Sequence, residues 1–345
     1  MTYAFDLYAT AASPKPGEGD AFALIGDAAR QAEKTGHQGM LVFSKHDYLD
    51  PWVVAGAILQ QTTALVPLVA AQPASAPPHT VATTVHSLVG LYGRRVDLNL
   101  VTGAASVELE RIGDTISHDE RYARAAEYMT VIRTVLGTGG RVDHRGRYYN
   151  LRGLDLGGPL PSESQPRVFV AGSSDAAQRV VQQVGHVAIT HPEPVGTFAA
   201  ELARRPLDGL RVGIRFGLIA RPTGAQAWEV ARSLYQEDEY SRMRLAMMKR
   251  SQSQWNRTLA DLATRAELYD DVYWTGTLRS GKGGFPLLVG DYGQVADYLE
   301  GYLAAGVGVI ITGGVRTAED FHHADMVFRK LRAATSSDPR EGSGT

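Results

Sequence analysis

Two short stretches of the chain carry groups suited to holding an anion. In "SHDERY" (117–122), Ser117 and Glu120 have the spacing of a helix capping box, so a helix starts there. His118 and Tyr122, four residues apart, then share one face of its first turns. An imidazole and a phenol beside a helix N-terminus suit an anion; the plainer alternative is a surface cap with a tyrosine packed under it. In "VFVAGSSDAAQRVV" (168–181) a strand runs into Gly172, Ser173 and Ser174 and then into a helix. Two hydroxyls and exposed N–H groups at the positive end of a helix dipole make a ready phosphate site, although simple capping by Ser174 accounts for the same pattern.

A third stretch, "GTLRSGKGG" (276–284), has the G-x-x-x-x-G-K spacing of a nucleotide-binding P-loop in Gly276, Gly281 and Lys282. Gly283 stands where that motif needs Ser or Thr, and "GGFPLLVGD" follows with Pro286 and no helical period, so a P-loop is not expected. Further polar candidates lie after strand-like runs. "SKHDYLD" offers His46, Asp47 and Tyr48, and "THPEP" offers His191 and Glu193. A pocket histidine there exchanges protons near neutral pH, while His46 is equally a rim residue in water. His322 and Asp325 share a face of the last helix without a third ligand, so no metal site is expected. "YSRMRLAMMKR" (240–250) mixes Met and Arg at helical spacing and reads as a packing or subunit face.

Composition limits what these groups serve. With 44% hydrophobic and 21% charged residues among 345, the balance is that of an ordinary globular protein. A net charge of -2 with scattered Lys and Arg leaves no basic stripe for nucleic acid. No run of about 18 apolar residues is present to span a bilayer, and "MTYAFDLYATAA" has no export signal, so a cytoplasmic chain is expected. Cysteine is absent, which removes disulfides, thiolate nucleophiles and thiolate metal ligands. Hard redox chemistry must therefore come from a bound cofactor.

The elements that position these groups alternate. Strand patterns at 4–10, 39–43, 64–70, 95–101, 166–172, 186–190, 210–220 and 307–312 are separated by helical patterns at 20–36, 50–61, 79–93, 117–136, from Ser173, near 195–205, over 224–265 and at 317–331. About eight β/α units predict an α/β TIM (β/α)8 barrel rather than an open sheet. A single domain is expected over 1–333, with a polar flexible tail at 334–345. The excess stretches 102–166, with a hairpin turning at Arg145-Gly146, and 266–306 are expected as insertions decorating the C-terminal, catalytic rim.

Taken in order, "NLVTG", "SHDERYARAAEYMTVIRTVL", "VDHRGRYYNLRG", "AGSSDAAQ", "GIR" and "LLVGDYGQVADYLEGYLAAGV" resemble the bacterial-luciferase-like flavin monooxygenases, most closely the alkanesulfonate monooxygenase branch, from about residue 36 to 330. The resemblance implies a cofactor, FMN, reduced by a separate NAD(P)H-dependent flavin reductase. O2 is the co-substrate, and a peroxyflavin oxygenates a bound small molecule away from water. It also implies a homodimer or homotetramer. Carried over by position, Asn99, Thr102, His118, Tyr122, Ser173 and Ser174 match FMN contacts, the last four at the phosphate, with Gly172 beside them and Ala71 near the bulge under the flavin ring. Arg279 matches the arginine of a mobile lid, hinged by Gly276, Gly281, Gly283 and Gly284, and Arg215 matches an arginine in the barrel mouth.

The substrate side departs from that branch. Gly217 and Gly314 stand where a histidine and a tyrosine are expected, Tyr48 replaces a cysteine, and "YATAASP" lacks a histidine. The two glycines are expected to open room for a bulkier substrate than a short alkanesulfonate, such as a secondary metabolite or an intermediate on a carrier. His46, Tyr48 and His191 are the replacement acid/base candidates. Two alternatives accompany this reading: a deazaflavin-dependent hydride-transfer oxidoreductase of the same superfamily, and a flavin-binding protein without catalysis.

Overall fold

The structure is a computed structural model, and it describes residues 3–103, 106–204, 207 and 209–336. Eight strands form its frame: β1 (Asp6–Thr10), β2 (Gly39–Val42), β3 (Val66–Ala71), β4 (Asp97–Leu100), β5 (Val168–Ala171), β6 (Val187–Thr190), β7 (Arg211–Arg221) and β8 (Val307–Gly313). They hydrogen-bond in the order β7-β8-β1-β2-β3-β4-β5-β6, and β6 pairs in turn with β7, so the ladder closes as an eight-stranded parallel TIM barrel. Each falls on a predicted strand. Runs such as "GMLV" in β2 are buried from end to end, as strands covered on both faces must be.

The 266–306 insertion holds more order than its sequence announces. β7 is long enough to pair twice: its first half with β8, from Val212↔Val307 to Gly217↔Gly313, and its second half with a strand at Leu287–Asp291. A short antiparallel pair, Leu268–Tyr269 with Tyr273–Trp274, extends this edge. The helical region expected over 224–265 is three helices, Gly224–Leu234, Ser241–Lys249 and Gln254–Arg265. The breaks fall where short polar side chains compete for backbone donors. Asp238 accepts from the Tyr240 N–H at 2.9 Å, and Ser251 accepts from the Ser253 N–H at 3.1 Å.

By contact density the chain forms two compact units, Tyr8–Thr190 with Ser251–Arg257, and the remainder. In the first, Ser117 caps the helix His118–Gly137 by accepting from the Glu120 N–H, but only half of the predicted capping box forms. The Glu120 carboxylate is drawn instead to Arg147 at 2.5 Å. Gly93 ends the helix Pro78–Tyr92 in the left-handed conformation, as expected. Buried Asp97 accepts from the Arg167 N–H at 2.9 Å and from the Tyr8 hydroxyl at 3.2 Å, which pins β1, β4 and the entry to β5. The predicted hairpin is present as Val142–Arg145 and Asn150–Leu154.

The second unit carries β7, β8 and the helices that follow them, ending with Ala318–Ser336. That helix covers residues 334–336 of the expected tail, and residues 337–345 lie outside the described residues. Among the described residues no helix is long and apolar enough to cross a membrane.

Candidate functional site

In the first unit β3, β4 and β5 lie side by side, with Ala70↔Asn99 and Asn99↔Phe169 in register, so their C-terminal ends converge. Ala71 ends β3 and is buried. The Asn99 amide oxygen, one strand over, is buried without a hydrogen-bond partner. An acceptor left in that state costs about 1–3 kcal/mol unless a ligand supplies a donor.

Past β5 the chain turns through Gly172, Ser173 and Ser174 into the helix Asp175–Val184, where Ser174 accepts from the Ala177 N–H at 3.2 Å. Tyr122 reaches this turn from the neighbouring helix and donates its hydroxyl to the Ala171 carbonyl at 3.3 Å. Burial raises the Tyr122 phenol's pKa, opposed by the Thr102 and Ser174 hydroxyls that hydrogen-bond to it, so these three hydroxyls gather at one point. Gly172 is required there. Its φ is +145°, and a Cβ would stand 2.5 Å from the Tyr122 hydroxyl. The His118 ring lies 5.0 Å from that of Tyr122 and is oriented by Asp119 at 2.8 Å. Three hydroxyls, an imidazole and the N–H groups of a helix start form a donor set for a dianion, and the open acceptor on Asn99 matches a ring N–H. A flavin phosphate and ring edge fit this cradle.

His46 lies elsewhere in the same unit, in an exposed turn after β2. Tyr48 in that turn packs edge-on to Phe43 at 5.7 Å, with the Lys45 ammonium over its ring at 4.8 Å.

In the second unit the structure brings Arg215 and His191 together. His191 Nδ1 lies 2.9 Å from the Arg215 carbonyl. A carbonyl only accepts, so Nδ1 carries the proton and the lone pair of the neutral ring sits on Nε2. Burial, reinforced by the Arg215 charge, brings the His191 pKa down to about 4. This corrects the expectation of proton exchange near neutral pH, because the ring is neutral there. Burial also lowers Arg215, to about 10, which leaves it cationic. Its Nε is buried without a partner, and among the described residues no carboxylate pairs with it.

Phe285, which no sequence pattern flagged, lies against both. The Arg215 guanidinium is 5.1 Å from its ring centre, and the His191 ring stacks on it at 6.3 Å and 24°. Three tyrosines fix the loop bearing His191. Tyr273 donates to the Pro192 carbonyl at 2.9 Å, Tyr302 donates to that of Glu193 at 2.5 Å, and the Val195 N–H donates to Tyr298 at 3.2 Å.

Two expectations about this unit are corrected. The segment expected as a glycine-hinged loop contains a helical turn, Gly276–Ser280, with Thr277, Leu278 and Ser280 buried; Gly276 packs so closely that a Cβ would meet Trp274 at 2.0 Å. The helix precedes Gly281 and a strand follows Lys282, the reverse of a P-loop. Arg279 in this turn pairs with Glu237 at 3.0 Å and donates to the Ala263 carbonyl at 3.1 Å. Nor does Gly217 open room, since a Cβ there would meet Leu287 at 2.1 Å and Phe285 at 2.7 Å. Gly314 has nothing closer than the Tyr235 hydroxyl at 4.0 Å. Among the described residues no His, Asp or Glu cluster suits a metal.

The luciferase-like monooxygenase family matches residues 3–308. The 4-(gamma-L-glutamylamino)butanoyl-[BtrI acyl-carrier protein] monooxygenase BtrO of Niallia circulans is 37% identical over 301 residues, 87% of this chain and 88% of its own length. Among solved structures, EDTA monooxygenase (EmoA) from Chelativorans sp. BNC1 matches with a TM-score of 0.72 at 17% identity, over 96% of this chain and 94% of that one. The oxygenating constituent of 3,6-diketocamphane monooxygenase from Pseudomonas putida, in complex with FMN, matches with a TM-score of 0.70 at 14% identity, over 96% and 98%. The two structures establish likeness of fold, and the family match with its close relative establishes kinship. The chain belongs to the luciferase-like monooxygenases and is a flavin-dependent enzyme of that family.

Proposed function

We propose that this chain is the oxygenating component of a two-component monooxygenase, taking reduced FMN from a separate NAD(P)H-dependent flavin reductase and acting on an acyl group tethered to a carrier protein. The flavin part rests on the cradle of Thr102, Tyr122 and Ser174 around Gly172. The substrate part is supported by the relative BtrO, whose name specifies an acyl-carrier-protein substrate. A half-buried Arg215 whose Nε is buried without a partner agrees with it, since an uncompensated guanidinium favours an anionic or strongly polar substrate group.

When bound, reduced FMN supplies the two electrons with which O2 places one oxygen atom on the substrate and releases the other as water. The chain's residues bind and orient. Thr102, Tyr122, Ser173, Ser174 and His118 hold the phosphate, Asn99 offers its amide oxygen to a ring N–H, and Ala71 supplies a small surface for the ring. Arg215 holds the polar end of the substrate, while His191 keeps its proton on Nδ1.

Anaerobic titration with reduced FMN tests the cradle. Saturable binding is expected, weakened about tenfold or more by Ser174→Ala or Tyr122→Phe through loss of a hydrogen bond to a charged phosphate. With a flavin reductase and NADH, O2 uptake is expected to yield oxygenated product from a carrier-loaded acyl group and peroxide without one. Absence of saturable binding, or binding indifferent to both substitutions, removes the proposal; hydride transfer without O2 uptake transfers the chain to the deazaflavin reading.

A further inference from the structure

Gly217 and Gly313 face each other in register across β7 and β8. Neither has room for a methyl group. At 217 a Cβ would come within 2.7 Å of Phe285 Cε2, and at 313 within 2.5 Å of Phe285 Cζ. Paired glycines weaken a strand through chain entropy and lost packing, and one physical return is the close approach of another group to bare backbone. Here that group is the ring of Phe285.

The ring is held on several sides. It packs against the buried cluster that includes Ile219, Trp274, Leu287 and Val289, lies under the Arg215 guanidinium and stacks with His191. It is only partly buried, so part of the residue stays accessible. An open aromatic surface next to an unpaired cation is matched by a ligand with an aliphatic segment attached to an anionic or carbonyl end.

We propose that Phe285, seated on the Gly217–Gly313 pair, is the specificity wall of the substrate site: its open surface takes the aliphatic segment of an acyl substrate whose polar end Arg215 holds, and its bulk sets the chain length admitted. This rests on reading Arg215 as part of the substrate site. Phe285 is a specificity residue, and no proton or electron passes through it.

The test is binding without turnover. Straight-chain carboxylates from butanoate to dodecanoate are titrated into the full chain, and binding is followed by tryptophan emission, since Trp228 and Trp274 share the cluster against which Phe285 packs. Affinity is expected to rise about fourfold per methylene and then break where the chain meets the ring. Phe285→Ala moves the break to longer chains and Phe285→Trp to shorter ones. Phe285→Leu serves as the milder variant if alanine unfolds the protein, with circular dichroism and a cooperative melt confirming each fold.

A break unmoved in the folded variants overturns the proposal, as does a wild type that binds no member of the series. O2 uptake with acyl thioesters of the same lengths reports separately on the parent reading. A moving break without oxygenation leaves the wall and removes the reading, whereas oxygenation with an unmoved break does the reverse.

Discussion

His191 is held by geometry at the expense of its charge. Its Nδ1–H is committed to the Arg215 carbonyl, and the same arginine opposes protonation of the ring. The folded pKa of about 4 lies below the ordinary 6.5, so between these values the unfolded chain binds a proton that the folded chain refuses. The contribution is fully present above about pH 6.5 and is lost as pH falls toward 4, with a slope approaching about 1.4 kcal/mol per pH unit. Urea unfolding at a series of pH values is expected to show this slope, and His191→Asn, which keeps a donor at the Nδ1 position, is expected to flatten it. Equal slopes would mean that the imidazole charges freely in the fold. At this scale sequence reading reached the groups whose setting is local. Ser174 caps its own helix, and Tyr122 lies in the second turn of the helix that Ser117 caps. Phe285 was out of reach, because its meaning depends on two glycines that only the register of β7 with β8 brings beneath it.

An element is legible when its signals lie within it and opaque when its support comes from outside. The hairpin at 142–154 follows from its own residues, yet it is anchored to the helix His118–Gly137 by two distant carboxylates, Glu120, which pairs with Arg147, and Glu127. Glu127 accepts from the N–H groups of Arg147, Tyr148 and Tyr149, the shortest at 2.8 Å, and from His144 Nε2 at 3.2 Å. Burial raises the Glu127 pKa, but these donors outweigh it and leave the group below the usual carboxylate range. Glu127→Ala strands three backbone donors at once and is expected to cost about 2–3 kcal/mol. Hydrogen exchange should accelerate at the Tyr148 and Tyr149 amides before it does in the barrel strands. Uniform acceleration would show instead that the hairpin and the barrel open together. The Gly276–Ser280 turn illustrates the opposite difficulty. Its glycines read as freedom, whereas the packing of Trp274 and the Arg279–Glu237 pair make it fixed structure.

For the molecule as a whole, the barrel was legible because each β/α unit repeats one local alternation, and eight repeats leave few ways to close a parallel sheet. The strand at Leu287–Asp291 was not, since it pairs with the second half of a β7 that had already been counted once. The absence of cysteine acts at this scale too, because it assigns the oxidising chemistry to a bound group and leaves no thiol on the chain to take part. If the flavin alone carries the electrons, the chain needs neither the proposed reductase nor any side-chain redox partner for one turnover. FMN reduced by light, mixed anaerobically with the chain and a carrier-loaded acyl group and then exposed to O2, is expected to give product up to one equivalent of bound flavin. Prior treatment of the chain with N-ethylmaleimide should leave that yield unchanged. In the coupled assay, any loss on alkylation must then come from the reductase or from the carrier's own thiol, and treating each component separately identifies which. Product that appears only with the reductase present would show that the two proteins act through a complex, with reduced flavin passed directly between them.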